Sequence, residues 1–300
     1  MSAQDIPGVR PSYGPVGVAR ALNDSSETPT TTLFNKEFSL ADKVALISGG
    51  NSGVGLESAL AFIEAGARAV YCLDIASEPS PEWTKVKEFA SRLEDKVGEG
   101  RFEYISADVS DQERIWQIGK DIGDKEGRLD ICVAAAGIRG PVGNSLSLNA
   151  NDFRKLMAVN LDGVLYTAQA AGQQMLRFKQ GGSIILLASV LGHQSMPNSV
   201  HMSYQVAKGG VLQMTRSLAV ELATKGIRVN SISPGFLRTN MMTPLFAMMP
   251  EMEAGLATLS PTGRIGEPHE IRGAVTFLAS DASSWCTGSD LFVDGAHHAW

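Results

Sequence analysis

Short apolar runs alternate with longer stretches of mixed polarity from about residue 44 to the C-terminus. Val44-Ala45-Leu46-Ile47 is continuous and apolar, the pattern of a strand buried on both faces. Residues 56–63 have helical character and stop at Gly66. Ala69-Val70-Tyr71-Cys72-Leu73 reads as a second strand closed by Asp74. A helix is predicted over 82–96, entered through Pro79 and Pro81, then a third strand over 102–105 and a helix over 112–122. The fourth strand falls at 129–134, and a long helix at 151–180 has Val159-Asn160-Leu161 near its middle and Gly181-Gly182 at its end. Ile184-Ile185-Leu186-Leu187-Ala188 is a further buried strand ending at Ser189; a loop at 192–202 leads into a helix over 204–224. A sixth strand at 227–232 is broken by Pro234-Gly235, and a last helix (271–280) and last strand (289–293) follow. Strands alternating with helices predict an α/β chain, a doubly wound, mostly parallel sheet with helices on both faces.

Residues 1–38 break this pattern. Pro7, Pro11, Pro15 and Pro29 are spaced among Gly, Ser and Thr, and apolar periodicity is missing, so an extended, partly disordered arm is expected before one domain over 39–300. The arm could also pack on the body or on a sister subunit. Asp5, Asp24, Glu27 and the prolines argue against a mitochondrial presequence, and no basic-then-apolar leader pattern is present.

Composition narrows the function classes. With 44% hydrophobic and 19% charged residues in 300, the chain can bury a large core. A net charge of -6 lacks the basic face that duplex nucleic acid requires. No apolar run reaches membrane-spanning length. Cys72, Cys132 and Cys286 are far apart in apolar or mixed contexts, as expected of reduced thiols in the cytoplasm.

The first strand runs straight into Ser48-Gly49-Gly50-Asn51-Ser52-Gly53-Val54-Gly55 and then a helix. A glycine-rich turn there lets backbone approach a diphosphate, whose charge the helix N-terminus favours; the Rossmann-like arrangement makes Gly49, Asn51, Ser52, Gly53, Val54 and Gly55 candidate cofactor contacts. The spacing is Gly-x-x-x-Gly-x-Gly, and a plain strand-to-helix connector is the bland alternative. Asp74 can accept hydrogen bonds from both adenosine ribose hydroxyls and repels a 2′-phosphate, which favours NAD, with NADP as the alternative. Asp108-Val109 could meet an adenine edge, cap the next helix, or do both. Small Ala135-Ala136-Gly137 would let backbone approach a ribose.

The candidate chemistry centres on Tyr204 and Lys208, which at i and i+4 share one helix face. An ammonium beside a phenol favours the phenolate, and a phenol so tuned can exchange a proton with a carbinol or carbonyl oxygen. Ser189, at a strand end, could hold that oxygen. Asn160, flanked by apolar residues inside a helix, is expected to be buried and to need partners. Residues 237–261 are rich in methionine (Met241, Met242, Met248, Met249, Met252); core filling is the bland reading, and an adaptable apolar lid over the substrate is the preferred one because the stretch follows a strand's carboxyl end. His297-His298 has no supporting Cys or acidic cluster, so no metal is expected and the tail is read as surface or interface.

In this order the motifs over about 40–300 resemble the short-chain dehydrogenase/reductase family: 48–55, Asp108, Ala134-Ala135-Ala136-Gly137, Asn160, Ser189, Tyr204-x-x-x-Lys208 and Ser233-Pro234-Gly235. The resemblance implies that Tyr204 is the general acid/base, that Ser189 orients the substrate oxygen, and that Lys208 holds the nicotinamide ribose. It also implies that Asn160 sustains a water-linked proton path, and that Pro234, Gly235 and Thr239 lie near the nicotinamide. Within the family the chain looks most like fungal polyol and ketose reductases of the sorbose or xylulose kind. Three departures stand out: Ala-Ala-Ala-Gly replaces the usual Asn-Asn-Ala-Gly, the 189–204 loop is about two residues long for the family, and the N-terminal arm lies outside the pattern. An NAD(P)-dependent oxidoreductase for a small secondary alcohol or ketone is expected, as a dimer or tetramer. The rival is a non-catalytic NAD(H)-sensing protein on the same fold.

Overall fold

The computed structural model describes residues 14–93, 100–140, 144–196 and 201–299. In chain order it contains α1 (Gly17–Ala21), β1 (Val44–Ser48), α2 (Gly53–Glu64), β2 (Ala69–Asp74), α3 (Pro81–Ser91), β3 (Arg101–Ser106), α4 (Gln112–Glu126), β4 (Ile131–Ala134), α5 (Ala150–Met157) and α6 (Gly163–Phe178). There follow β5 (Gly182–Leu187), α7 (Met202–Leu222), β6 (Ile227–Pro234), α8 (Thr243–Met248), α9 (Pro250–Ala257), α10 (Arg272–Ala279) and β7 (Asp290–Val293).

The strands form one seven-stranded sheet in the order β3-β2-β1-β4-β5-β6-β7, and every pair of neighbours is parallel. The period-2 alternation of strand side chains explains why the runs are apolar throughout. Val44 and Leu46 of β1 point to the face covered by α4, α6 and α7, through Ile115, Ile118, Val164 and Val211. Ala45 and Ile47 point to the other face, covered by α2, α3 and α10, through Phe62, Ile63, Trp83 and Val275. Burying each large side chain in these two layers stabilises the fold by about 1.5–3 kcal/mol.

The chain winds from β1 outward through β2 to β3, then restarts beside β1 at β4 and winds outward the other way. That reversal leaves a crevice beyond the carboxyl ends of β1 and β4, where loops part to opposite sides.

Several local expectations change. The 82–96 helix ends at Ser91, and residues 94–99 lie outside the described residues, as do 197–200 of the 192–202 loop. The helix over 151–180 is interrupted by a π-helical turn, Ala158–Asp162, centred on Asn160. In the 1–38 arm, 1–13 lie outside the described residues, and the rest is not extended throughout: besides α1, Leu33–Glu37 forms a π-helical turn. Phe38 then packs 6.3 Å, centroid to centroid, from Phe277 of α10, so the end of the arm docks on the body. Of the two C-terminal histidines read as a surface or interface tail, His298 is exposed and His297 is not. His297 is buried and its Nδ1–H donates to the Leu259 carbonyl at 2.8 Å, while His298 stacks on Phe292.

Candidate active site

A cleft of about 870 Å³ occupies the crevice at the reversal point. The glycine turn borders it through Gly49, Ser52, Gly53, Val54 and Gly55. Gly49 has φ 70°, and a Cβ there would sit 2.8 Å from the Ala136 nitrogen, so only glycine lets this turn lie against the end of β4. A Cβ at Gly55 would collide with the Gly49 carbonyl. Ser52 precedes α2 without capping it by its side chain, which leaves first-turn amides facing the cleft for an anion. These cradle features fit a diphosphate.

Asp74 ends β2 at one side of the cleft. Its Oδ1 accepts from the Ile75 amide at 2.9 Å and its Oδ2 from the Asn51 amide at 3.4 Å. Asn51 itself does not border the cleft: its side chain turns away, accepting from the Ser80 amide at 2.7 Å and donating to Tyr104 at 3.5 Å. It braces the loop after β2 instead. Asp108 and Val109 border the cleft, and the capping role expected of Asp108 falls to Asp111, whose carboxylate accepts from the Arg114 amide at 3.0 Å. Asp108 instead closes a tight turn with Ser110.

Ala135, Ala136 and Gly137 pass along the middle of the cleft. The asparagine missing from this segment is replaced by other anchors. The Ala136 amide donates to Ser48 Oγ at 3.4 Å, and Thr167 Oγ1 reaches the same hydroxyl at 3.3 Å. Asn160 is fully buried and does not line the cleft. Its Oδ1 accepts from the Ile138 amide and its Nδ2 donates to the Ile138 carbonyl, both at 2.8 Å, so a polar side chain at the π-helical turn clamps the chain just past β4.

At the other side, Ser189, Tyr204 and Lys208 converge on the cleft with Pro234, Gly235 and Thr239 beyond them. Ser189 lies just past β5 and starts a short 3-10 turn, its Oγ accepting from the Leu191 amide at 3.1 Å. The same hydroxyl lies close enough to the Tyr204 phenol to influence its titration. Tyr204 sits in the first turn of α7, and Lys208 one turn later holds Nζ 5.7 Å from the phenol ring centroid while donating to the Leu187 carbonyl at 2.6 Å. Burial raises the Tyr204 phenol above its ordinary value, and the Ser189 hydroxyl only partly opposes this. Burial also pushes the Lys208 ammonium down to about 8. The expected lowering of the phenol by Lys208 therefore does not prevail here; desolvation of both groups outweighs it.

Met241, Met242, Met249, Met252 and Leu256 close one wall, carried by the segment before α8, the residue joining α8 to α9, and α9. Met248 points outward and is largely exposed, so the methionine stripe is only in part a cleft wall. Ile75, Arg139 and Phe236, which no sequence motif marked, also border the cleft, as does His201 from the loop after Ser189. Ile75 and Phe236 directly follow Asp74 and Gly235, and Arg139 lies two positions past Gly137, so proximity to a strand end was the available signal.

Among known proteins, the family described as enoyl-(acyl carrier protein) reductase matches residues 49–298. A sorbose reductase of Schizosaccharomyces pombe is 38% identical over 261 residues, covering 87% of this chain and 97% of the relative. A short-chain type dehydrogenase/reductase from Mycobacterium marinum superposes with a TM-score of 0.80 at 34% identity, over 88% of this chain and 98% of that one. A candidate 2-deoxy-d-gluconate 3-dehydrogenase from Agrobacterium tumefaciens, with bound NADP, superposes with a TM-score of 0.77 at 31% identity, over 88% and 99% of the two chains.

Proposed function

The chain belongs to the short-chain dehydrogenase/reductase family, and we propose that it interconverts a secondary alcohol and a ketone with NAD as its preferred cofactor. The observation that carries this is the meeting of the Ser189 hydroxyl, the Tyr204 phenol and the Lys208 ammonium at one end of a cleft whose other end is a glycine cradle.

A nicotinamide dinucleotide supplies the hydride when bound. The glycine turn and the α2 N-terminus hold its diphosphate, and Asp74 holds the adenosine ribose. Asp74 supports NAD over NADP because its carboxylate would meet a 2′-phosphate with no Arg or Lys beside it on the cleft wall there among the described residues. Ser189 holds the substrate oxygen. Tyr204 gives that oxygen a proton during reduction and takes it back during oxidation. The Lys208 charge, one helical turn away, works against the desolvation that disfavours the phenolate, without overcoming it in the free protein. Asn160 keeps the Ile138 backbone rigid beneath the reacting centre.

The likeness to sorbose reductase puts ketoses and their polyols at the head of a substrate panel. The buried, free Cys72 and Cys132 thiols support a reducing cytoplasmic setting, and a homo-oligomer is the proposed assembly. The test is a titration of NADH against NADPH, then a ketone panel with the preferred cofactor, in wild type and Tyr204→Phe. The variant should keep cofactor affinity and lose at least about 100-fold in kcat, the lower range for a general acid/base. Wild-type rates in Tyr204→Phe would overturn the assignment.

A further inference from the structure

Charge is distributed unevenly along the cleft. Its two acids, Asp74 at the end of β2 and Asp108 just past β3, lie on one side of β1. Ser189 and Tyr204 lie on the other side, with β5, and there the charged or titratable groups bordering the cleft are Lys208, Arg139 and His201. Lys208 is occupied by the Leu187 carbonyl. Arg139 makes no ion pair or hydrogen bond among the described residues, although arginines elsewhere in this chain, such as Arg128, Arg264 and Arg272, are paired. Residues 141–143 and 197–200, adjacent in sequence, contain no Asp or Glu.

Arg139 is also built into place. The residue before it, Ile138, is clamped through both backbone groups by Asn160. The residue after it, Gly140, has φ 73°, and a Cβ there would collide with the buried Leu156 side chain. The guanidinium therefore hangs from backbone fixed on both sides. His201, ahead of α7, borders the same end, and its buried Nδ1 has no partner among the described residues. Burial, helped by the nearby Arg139 charge, holds its imidazole below its ordinary value.

An unpaired guanidinium on a rigid mount, beside an unpartnered imidazole nitrogen and facing no carboxylate, suits an oxyanion. Arginine binds carboxylate or phosphate through two parallel hydrogen bonds. We propose that the substrate carries an anionic group in addition to its carbonyl or carbinol, and that Arg139, assisted by His201, binds it while Ser189 and Tyr204 hold the reacting oxygen. The proposal rests on the oxidoreductase assignment and names the substrate class for the same site.

The test uses matched pairs with the full chain and its preferred cofactor. L-sorbose is compared with 5-keto-D-gluconate, which is the same ketose with its distal carbinol oxidised to a carboxylate. D-fructose is compared with D-fructose 6-phosphate, and 4-oxopentanoate with its methyl ester. Wild type should prefer the anionic member of at least one pair, and which pair shows it separates carboxylate from phosphate. Arg139→Gln should raise KM for that member about 10- to 100-fold, the range of a hydrogen bond to a charged group, and leave its neutral counterpart unchanged. Arg139→Lys should recover part of the loss, and His201→Ala should lose less than Arg139→Gln.

A second readout avoids turnover. In the Tyr204→Phe background with NADH bound, calorimetric affinity for the preferred anion should fall by the same factor when Arg139→Gln is added. If wild type takes the neutral member of every pair at least as well, or if Arg139→Gln weakens both members equally, the anion subsite is wrong and the oxidoreductase assignment stands. If cofactor binds and no ketone is reduced with either dinucleotide, the oxidoreductase assignment falls and takes the subsite with it.

Discussion

Lys208 is nearly inaccessible to water, yet it must hold a charge to act on the phenol beside it. Its folded-state value of about 8 lies below the ordinary lysine value of 10.5 because burial disfavours the ammonium. Between those values the unfolded chain keeps a proton that the native protein releases, so the stability of the free protein should rise with pH. Below pH 8 both states are protonated and the penalty is constant. From pH 8 to pH 10, wild type should gain on the order of 2 kcal/mol relative to Lys208→Met. Urea unfolding at several pH values measures this directly, and parallel curves for the two proteins would show that Lys208 keeps its proton inside the fold. The pairing of Tyr204 with Lys208 was legible from spacing alone. The direction in which the phenol shifts was not, because desolvation depends on which distant segments close over the ring. Asn51 shows the same limit: its place in the glycine turn is plain in the sequence, but Ser80 and Tyr104, which claim its side chain, are 29 and 53 residues away.

At the level of elements, the strands were readable because both faces of the sheet are covered and each run had to be apolar throughout. The π-helical turn at Ala158–Asp162 was not, since its extra residue follows from Asn160 reaching across to Ile138 and not from local propensity. Close approaches between elements were hidden for a similar reason. Gly192 ends the turn that begins at Ser189 and lies against α7, where an added Cβ would fall 2.8 Å from the Lys208 carbonyl carbon and 3.0 Å from the Gly209 nitrogen. These are backbone atoms and cannot swing aside. Gly192→Ala should therefore push the Ser189 turn off α7 and separate the hydroxyl from the phenol. We expect a loss of about 100-fold in kcat, the effect of a misplacement near 1 Å, with about 1–3 kcal/mol of destabilisation. Gly209→Ala is the control: its Cβ would meet the Gly192 carbonyl at 3.4 Å, an ordinary contact. It should leave kcat near wild type, and alanine favours the helix by about 0.8–1 kcal/mol over glycine. Equal losses of kcat in the two variants would mean that α7 tolerates no side chain in this region and that Gly192 has no special part in placing Ser189.

Across the whole molecule, the sheet separates stability from chemistry by putting them at opposite ends of the same strands. The cleft opens where β1 and β4 end; where they begin, Asp130 joins them. Its buried carboxylate accepts from the Val44 amide at 2.9 Å and from Arg128 Nε and Nη2, each at 2.8 Å, while Arg128 reaches Asp42 at 2.6 Å. The doubly wound order was inferable from alternation, because a parallel sheet admits few windings. This buried ion pair was not, since an Asp at the head of an apolar run looks like an ordinary strand boundary. Asp130→Ala leaves Arg128 Nε and Nη2 and the Val44 amide without their acceptor, while Arg128 Nη1 keeps Asp42. Breaking a fully buried pair costs about 3–5 kcal/mol, and the Asp42 contact that Arg128 retains puts the expected loss at the lower end of that range. The same substitution lies a full strand length from Tyr204, so kcat per folded molecule should stay within about twofold of wild type, because sites sharing no partners act independently. Urea midpoints and active-site-normalised kcat on the same preparation test both halves. A large drop in kcat without loss of stability would mean that the β1–β4 register, and with it the width of the cleft, is set from the far end of the sheet.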